Sequence, residues 1–282
     1  MHIFNSRTDL SRHLESVGGS PNTIGFVPTM GALHAGHLSL LKRSISDNQV
    51  TVISVFVNPT QFNDPEDLAK YPRTLESDVA KIEALNTAII VYAPTVEDIY
   101  EGHAISQHFD FAGLENQMEG KFRPRHFDGV GTVVKRLFEI VRPGKAYFGE
   151  KDFQQLQIVR KLVEKYNLPV AIIGCPILRE ENGLAMSSRN ERLTTELRKK
   201  AAVIYKTLQA AKQQFETESP QAVIAFVENT FNANPDFSLE YFEIADEETL
   251  RSAIQKDKNR KYRAFIAVFA NNVRLIDTIS LN

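Results

Sequence analysis

The segment Pro28-Thr29-Met30-Gly31-Ala32-Leu33-His34-Ala35-Gly36-His37 combines residue types and spacing that chemistry could use. Two imidazoles stand three residues apart, where the apolar run Thr23–Val27 gives way to the helical Leu38-Ser39-Leu40-Leu41. Residues i and i+3 share a helix face, so both rings can address one ligand. A helix start adds unpaired N–H groups and positive potential, which suit an anion. Gly36 removes a side chain where a ligand would approach closely. Three readings are open: a pair of cap histidines, a phosphate site, or a metal site. The metal reading has no neighbouring Cys, Asp or Glu to complete a ligand set. Neither a Walker A loop nor a Gly-x-Gly-x-x-Gly fingerprint occurs, so any phosphate must be met by other means.

Two further segments bear on phosphate. Phe148-Gly149-Glu150-Lys151-Asp152-Phe153-Gln154-Gln155 sits at a second strand-to-helix junction. It offers a cation, Lys151, and a carboxylate, Asp152, able to accept from ribose hydroxyls; its plain reading is a helix cap. Met186-Ser187-Ser188-Arg189-Asn190 offers two hydroxyls followed by a guanidinium, a compact oxyanion grip. Read alone, it is an ordinary capping turn.

These junctions need strands and helices to hold them. Thr23–Val27, Val50–Val57, Ala88–Tyr92, Ala146–Gly149 and Val170–Cys175 are short apolar runs and read as buried strands. Gly131–Arg142 and Phe153–Tyr166 carry apolar residues at a helical period. Strands alternating with helices imply right-handed βαβ units, with ligands bound beyond the carboxyl ends of the strands. Beyond Pro176 the pattern changes to helices over Thr195–Glu216 and Pro220–Asn232. A strand, Ser238–Ile244, and a hairpin, Ala264–Ala270 with Val273–Ile279, follow. The fold class expected is therefore α/β. A Rossmann-like parallel sheet would occupy residues 1–176, and a smaller α+β domain 177–282 would act as a lid. Lys258, Arg260, Lys261 and Arg263 read as a solvated loop before the hairpin.

Of the 282 residues, 43% are apolar and 24% charged, which excludes a disordered or fibrous chain. The 33 Lys and Arg against 35 Asp and Glu leave a net charge of −2. That lacks the basic excess of a nucleic-acid binder. Cys175 is the only cysteine, so a reducing compartment suits the chain. Met1–Arg7 turns polar at once and no apolar run is long enough to cross a bilayer, so a cytoplasmic protein without membrane partners is expected.

Together and in this order, the histidine-glycine-histidine helix start, the Gly-x-Lys-Asp loop and the Met-Ser-Ser-Arg turn resemble the nucleotidylyl-transferase superfamily, and within it the pantoate–β-alanine ligase family. The resemblance runs through Val55-Phe56-Val57-Asn58-Pro59-Thr60-Gln61-Phe62, Tyr71-Pro72-Arg73-Thr74 and Arg125-His126-Phe127-Asp128-Gly129-Val130, and its specific part ends at Arg189. It implies ATP-dependent condensation of (R)-pantoate with β-alanine to pantothenate, for coenzyme A synthesis, through a pantoyl-adenylate with release of pyrophosphate and AMP. By the same resemblance His34 and His37 contact the ATP phosphates, with His37 as proton donor, and Met30, Gly31, Ala32, Leu33, Ala35 and Gly36 line the ATP site. Gly149, Glu150, Lys151 and Asp152 match ribose and phosphate contacts, Met186, Ser187, Ser188 and Arg189 the triphosphate clamp, and Leu178 a backbone contact to adenine. His37, His34, Lys151 and Arg189 are the expected catalytic residues. Gln61 and Gln155 match the pantoate-binding glutamines, Asn58 accompanies Gln61, and Pro28, Val133 and Val134 wall the substrate's dimethyl carbon. Apart from the resemblance, Gln155 reads as a helix-surface residue and Val133 and Val134 as core.

The resemblance also implies Mg²⁺ and a homodimer. Where relatives can place consecutive acidic residues near the metal, this chain has Leu75-Glu76-Ser77-Asp78, so the metal ligand is unassigned and Asp78 is a candidate only. The rivals are an adenylyltransferase acting on a phosphorylated acceptor, a non-catalytic nucleotide-binding module and a metal-binding protein. The neutral amides of Gln61 and Gln155 count against the first, since a phosphate acceptor would draw more Arg or Lys.

Overall fold

Strand β1 (His2–Phe4) opens the chain and is followed by helix α1 (Arg7–Ser16), whose N-cap Ser6 accepts from the Asp9 N–H. In this computed structural model, which describes residues 1–19 and 23–282, the next elements are β2 (Ile24–Thr29), α2 (Ala35–Asp47), β3 (Val50–Val55), α3 (Pro65–Lys70), α4 (Leu75–Leu85), β4 (Ile90–Tyr92), α5 (Val96–Tyr100), α6 (Met118–Phe122), α7 (His126–Val141), β5 (Lys145–Gly149), α8 (Phe153–Lys165) and β6 (Ala171–Cys175). The six strands form one parallel sheet in the order β1-β4-β3-β2-β5-β6. The parallel, Rossmann-like sheet is the one expected from the alternation of strands and helices, and its strand order is doubly wound. Its connections run one way from β2 and then return to its other side, which puts the switch point between β2 and β5. The first four residues of β2 are all buried, as a strand covered by helices on both faces must be.

The same gap is widened by chemistry. β2 pairs with β5 only through Gly25 and Phe26, whereas it pairs with β3 over its full length. Pro28 lies beyond the β5 pairing, where its missing N–H leaves no ladder bond unmade. The carboxyl end of β2 is therefore unpaired on its β5 side, and the histidine loop follows immediately.

The described residues divide into two compact units: residues 1–149 with 155–175, and residues 150–154 with 176–282. The second unit holds α9 (Thr195–Lys200), α10 (Ala202–Thr217), α11 (Pro220–Asn232), β7 (Ser238–Asp246), β8 (Tyr262–Ala270) and β9 (Val273–Ser280). Its sheet is antiparallel in the order β7-β8-β9. The single helix expected from residue 195 is split at Ala201, which caps α9 and leads into α10.

Central strand β8 is buried along both faces because its alternate residues serve different partners. Ala264, Ile266, Val268 and Ala270 join a core with Ile204, Leu208, Val223 and Val227 of the two long helices. On the other face the Arg263 guanidinium lies 4.0 Å over the Phe153 ring, and Phe265 tilts against the same ring at 6.0 Å. Those contacts attach residues 150–154 to the second unit. They also correct the expectation for Arg263. It is 6% exposed, with a 2.9 Å hydrogen bond to Glu247, whereas Lys258, Arg260 and Lys261 are exposed as expected.

Candidate active site

Helix α2 begins at the histidine pair. His34 is the N-cap, and its Nδ1 accepts from the Gly36 N–H at 3.1 Å; His37 Nδ1 accepts from the His34 N–H at 3.4 Å. This is a capping box made of two imidazoles, with ring centroids 4.0 Å apart. A ring nitrogen that accepts cannot carry the proton, so each neutral ring holds its N–H at Nε2. The cap reading is the one these bonds show: Nδ1 of each ring closes the start of the helix, which leaves Nε2 as the donor atom of each ring.

The loop before the helix is tightly held. Gly31 and Ala32 both have positive φ, 82° and 50°, and alanine is disfavoured there by about 1–2 kcal/mol. Asp78 on α4 compensates: it accepts from the Ala32 N–H at 2.9 Å, the Leu33 N–H at 2.7 Å and Thr74 Oγ1 at 3.2 Å. Lys81 Nζ donates to the Leu33 carbonyl at 2.7 Å. A Cβ on Gly31 would sit 3.0 Å from Val55 Cγ1 and 3.1 Å from Asp78 Oδ2, a tight fit added to the strain of the positive φ.

The second cluster surrounds Gln61, the last residue of a 3-10 turn (Pro59–Gln61) after β3. Asn58 Nδ2 donates to Gln61 Oε1 at 3.2 Å and to the Gly129 carbonyl at 3.1 Å. Asn58 Oδ1 accepts from Tyr100 Oη at 2.6 Å and Thr60 Oγ1 at 3.1 Å. Asn58 is 1% exposed, and its amide is spent on orienting Gln61. Burial pushes the Tyr100 phenol up, keeping it a donor. With Oε1 committed, Gln61 presents Nε2, which points at Met30 Sδ, 3.3 Å away. A thioether is a weak acceptor, so that N–H is only weakly held. From below, His126 Nδ1 donates to the Gln61 carbonyl at 2.9 Å and Arg123 adds a bond of 3.3 Å. Val133 and Val134, further along α7, are buried, and Gln155 is half-buried near the start of α8.

In the second unit, Lys151 lies 3.4 Å from Asp152, and Glu150 lies 3.5 Å from the Arg263 guanidinium. Ser187 caps a 3-10 turn (Ser188–Arg192) by accepting from the Arg189 N–H at 3.2 Å. The Met186 N–H donates to the Leu178 carbonyl at 3.0 Å, which folds residues 178–186 back on themselves. Buried Asn190 pins that turn through Glu180 and the Ala185 carbonyl. Beneath it, Arg179 makes a two-pronged ion pair with buried Asp277, at 2.6 and 3.0 Å, and stacks on Tyr205. Burial pushes the Asp277 carboxyl up, against the pull of Arg179.

These residues do not fit a protein-held metal. Asp78 is fully buried and its oxygens already accept three hydrogen bonds. Among the described residues no three His, Cys, Asp or Glu side chains converge to hold an ion. No described helix is long and apolar enough to cross a membrane.

The sequence matches the family described as Pantoate-beta-alanine ligase over residues 2–280. The chain belongs to the pantoate–β-alanine ligase family. The pantothenate synthetase of Flavobacterium psychrophilum is 64% identical over 281 residues, with both chains fully covered. Among solved structures, pantothenate synthetase from Thermus thermophilus superposes with a TM-score of 0.91 at 40% identity, over 100% of this chain and 99% of that one. Pantoate–β-alanine ligase from Francisella tularensis, solved with β,γ-ATP and β-alanine, gives 0.83 at 35% identity over 100% and 98%. The parallel sheet and small antiparallel sheet are those of this family of ligases. Sequence reasoning did not find the supports that Tyr100, Arg123, His126 and Gly129 give Gln61. The last two lie in a segment that carries the resemblance, but nothing in their order points back to residue 61.

Proposed function

We propose that this pantoate–β-alanine ligase joins (R)-pantoate to β-alanine in two steps. The pantoate carboxylate attacks the α-phosphorus of ATP in line and pyrophosphate leaves; the β-alanine amine then attacks the mixed-anhydride carbonyl and AMP leaves. No covalent enzyme intermediate is needed, so catalysis is positioning and charge stabilisation. The observation that carries the reading is the Gln61–Met30 contact. It supports the reading because the Gln61 amide lies against Met30, in the loop that leads into His34 and His37.

Gln61 and Gln155 hold pantoate through neutral amides, leaving the carboxylate its electron density, while Val133, Val134 and Pro28 face its methyl groups. His34 and His37 donate from Nε2 to phosphate oxygens, and the N-terminal field of α2 favours the charge that builds on pyrophosphate. In the second unit, Lys151 and the Ser187–Arg189 turn meet phosphate oxygens, Asp152 accepts from ribose, and the Leu178 backbone meets adenine. Mg²⁺ enters as part of the nucleotide substrate, held by phosphate oxygens. The family resemblance supports a homodimer, and the single buried cysteine suits the cytoplasm. Purified protein given ATP, pantoate and β-alanine should form pantothenate and AMP in equal amounts, read by mass. ATP hydrolysis without pantothenate would refute the reading.

A further inference from the structure

Leu33, the residue before His34, is held at both ends by one helix. Its N–H donates to Asp78 Oδ1 at 2.7 Å, and its carbonyl accepts from Lys81 Nζ at 2.7 Å. The preceding Ala32 N–H takes the other carboxylate oxygen at 2.9 Å. Thr74 leaves its own helix uncapped to donate to that oxygen. The Leu33 side chain is buried in the sheet core with Leu41, Ile53 and Ile82. Between this anchor and the sheet, Gly31 and Ala32 adopt left-handed conformations that a short loop would not hold unaided.

We propose that Asp78, assisted by Lys81, is a positioning residue for the histidine pair. It touches neither nucleotide nor pantoate. It fixes the backbone that delivers His34 to its N-cap geometry, and through the capping box it fixes the ring states of both histidines. The role requires a carboxylate. Two N–H groups converge on two acceptor oxygens, and an amide in that place would turn an NH₂ group toward one of them. Without the clamp, Ala32 relaxes toward ordinary φ, His34 leaves its cap, and Nδ1 and Nε2 become interchangeable as proton carriers. An ångström of misplacement at such a site can reduce turnover by roughly 10²-fold.

The proposal rests on the adenylate-forming reading above, so its test includes a measurement that does not depend on activity. Nitrogen-15 NMR of the imidazoles reports which ring nitrogen is protonated, with His34 and His37 assigned by omission in His34→Gln and His37→Gln. The wild-type protein should show both rings protonated at Nε2. Asp78→Asn should show averaged ring nitrogens and lose about 10²-fold in pantoate-dependent pyrophosphate exchange, with little change in pantoate KM. Thr74→Val and Lys81→Met each remove one bond of the clamp and should shift both readouts in the same direction by less. These two variants carry the test if Asp78→Asn does not fold. Wild-type ring signals in folded variants, or exchange that falls only in step with thermal stability, would overturn the proposal. Absence of exchange in the wild-type protein would defeat the adenylate reading instead, and the ring signals would still decide the role of Asp78.

Discussion

Replacing Gly129 by alanine should cripple pantoate use while leaving the fold standing. Gly129 lies in the first turn of α7, and a Cβ there would meet the Thr60 carbonyl oxygen at 2.4 Å and Gln61 Cα at 2.7 Å. Carbon contacts settle at about 3.5 Å, so the two backbones must separate by roughly 1 Å. Most of α7 is buried, whereas the Pro59–Gln61 turn is three residues long, so the turn yields. That displacement pulls Gln61 from the His126 bond and Asn58 from the Gly129 carbonyl. Overpacking costs about 1–3 kcal/mol, offset by about 1 kcal/mol for alanine over glycine in a helix. The protein should therefore remain folded. A shift of about 1 Å at a substrate-orienting group lowers kcat/KM for pantoate by about 10²-fold, while KM for ATP changes little. Initial rates against each substrate, with thermal unfolding alongside, measure this. A folded Gly129→Ala variant with wild-type kcat/KM for pantoate would refute the positioning of Gln61 by this packing.

Lys151→Ala and Arg189→Ala should weaken ATP binding more than pantoate binding, and Gln61→Ala and Gln155→Ala the reverse. Calorimetric titration with both ligands separates the cases, and equal losses throughout would indicate general disruption. Asp277→Ala leaves the Arg179 guanidinium without its buried partner and should cost about 3–5 kcal/mol in urea unfolding. At alkaline pH, burial raises the phenols of Tyr92, Tyr100 and Tyr147, the last to about 12, above the ordinary 10.0. The folded state then holds these protons more tightly than the unfolded state, so stability is unaffected below pH 10 and declines as pH rises beyond it. Their tyrosinate absorbance should appear together with unfolding, and early titration in the folded protein would contradict their burial.

The sheet was legible where local physics decides structure. The runs at Ile24–Thr29 and Val50–Val55 are apolar because they are central, largely buried strands, and edge strand Ala171–Cys175 is a short β-branched run; all three read as strands without further help. β1 was missed because three residues with His2 and Ile3 exposed carry no burial pattern. Helix α7 begins at His126, earlier than the apolar period suggests, because Gly129 and Gly131 give its first turns close approach to Thr60 and Phe109 rather than a hydrophobic stripe. Arg263 looked solvated because three exposed cations precede it; its partners Glu247, Glu150 and Phe153 are distant in sequence. At the site, the histidine pair was visible from spacing alone. The Asp78 clamp and the Tyr100 bond to Asn58 were not, since they join residues tens of positions apart, and Asp78 suggested in sequence a metal ligand rather than a buried acceptor of backbone N–H groups.

The order of the chemistry is tested most directly by isotope exchange. With pantoate and MgATP present and β-alanine omitted, labelled pyrophosphate should appear in ATP, because Gln61, the histidine pair and the phosphate-binding side chains are assigned to the first step and none needs the amine. His37→Ala should slow that exchange by about 10²–10⁴-fold. Exchange that requires β-alanine would contradict a separate adenylate step. Exchange indifferent to pantoate would contradict the assignment of Gln61 and point to an adenylyltransferase.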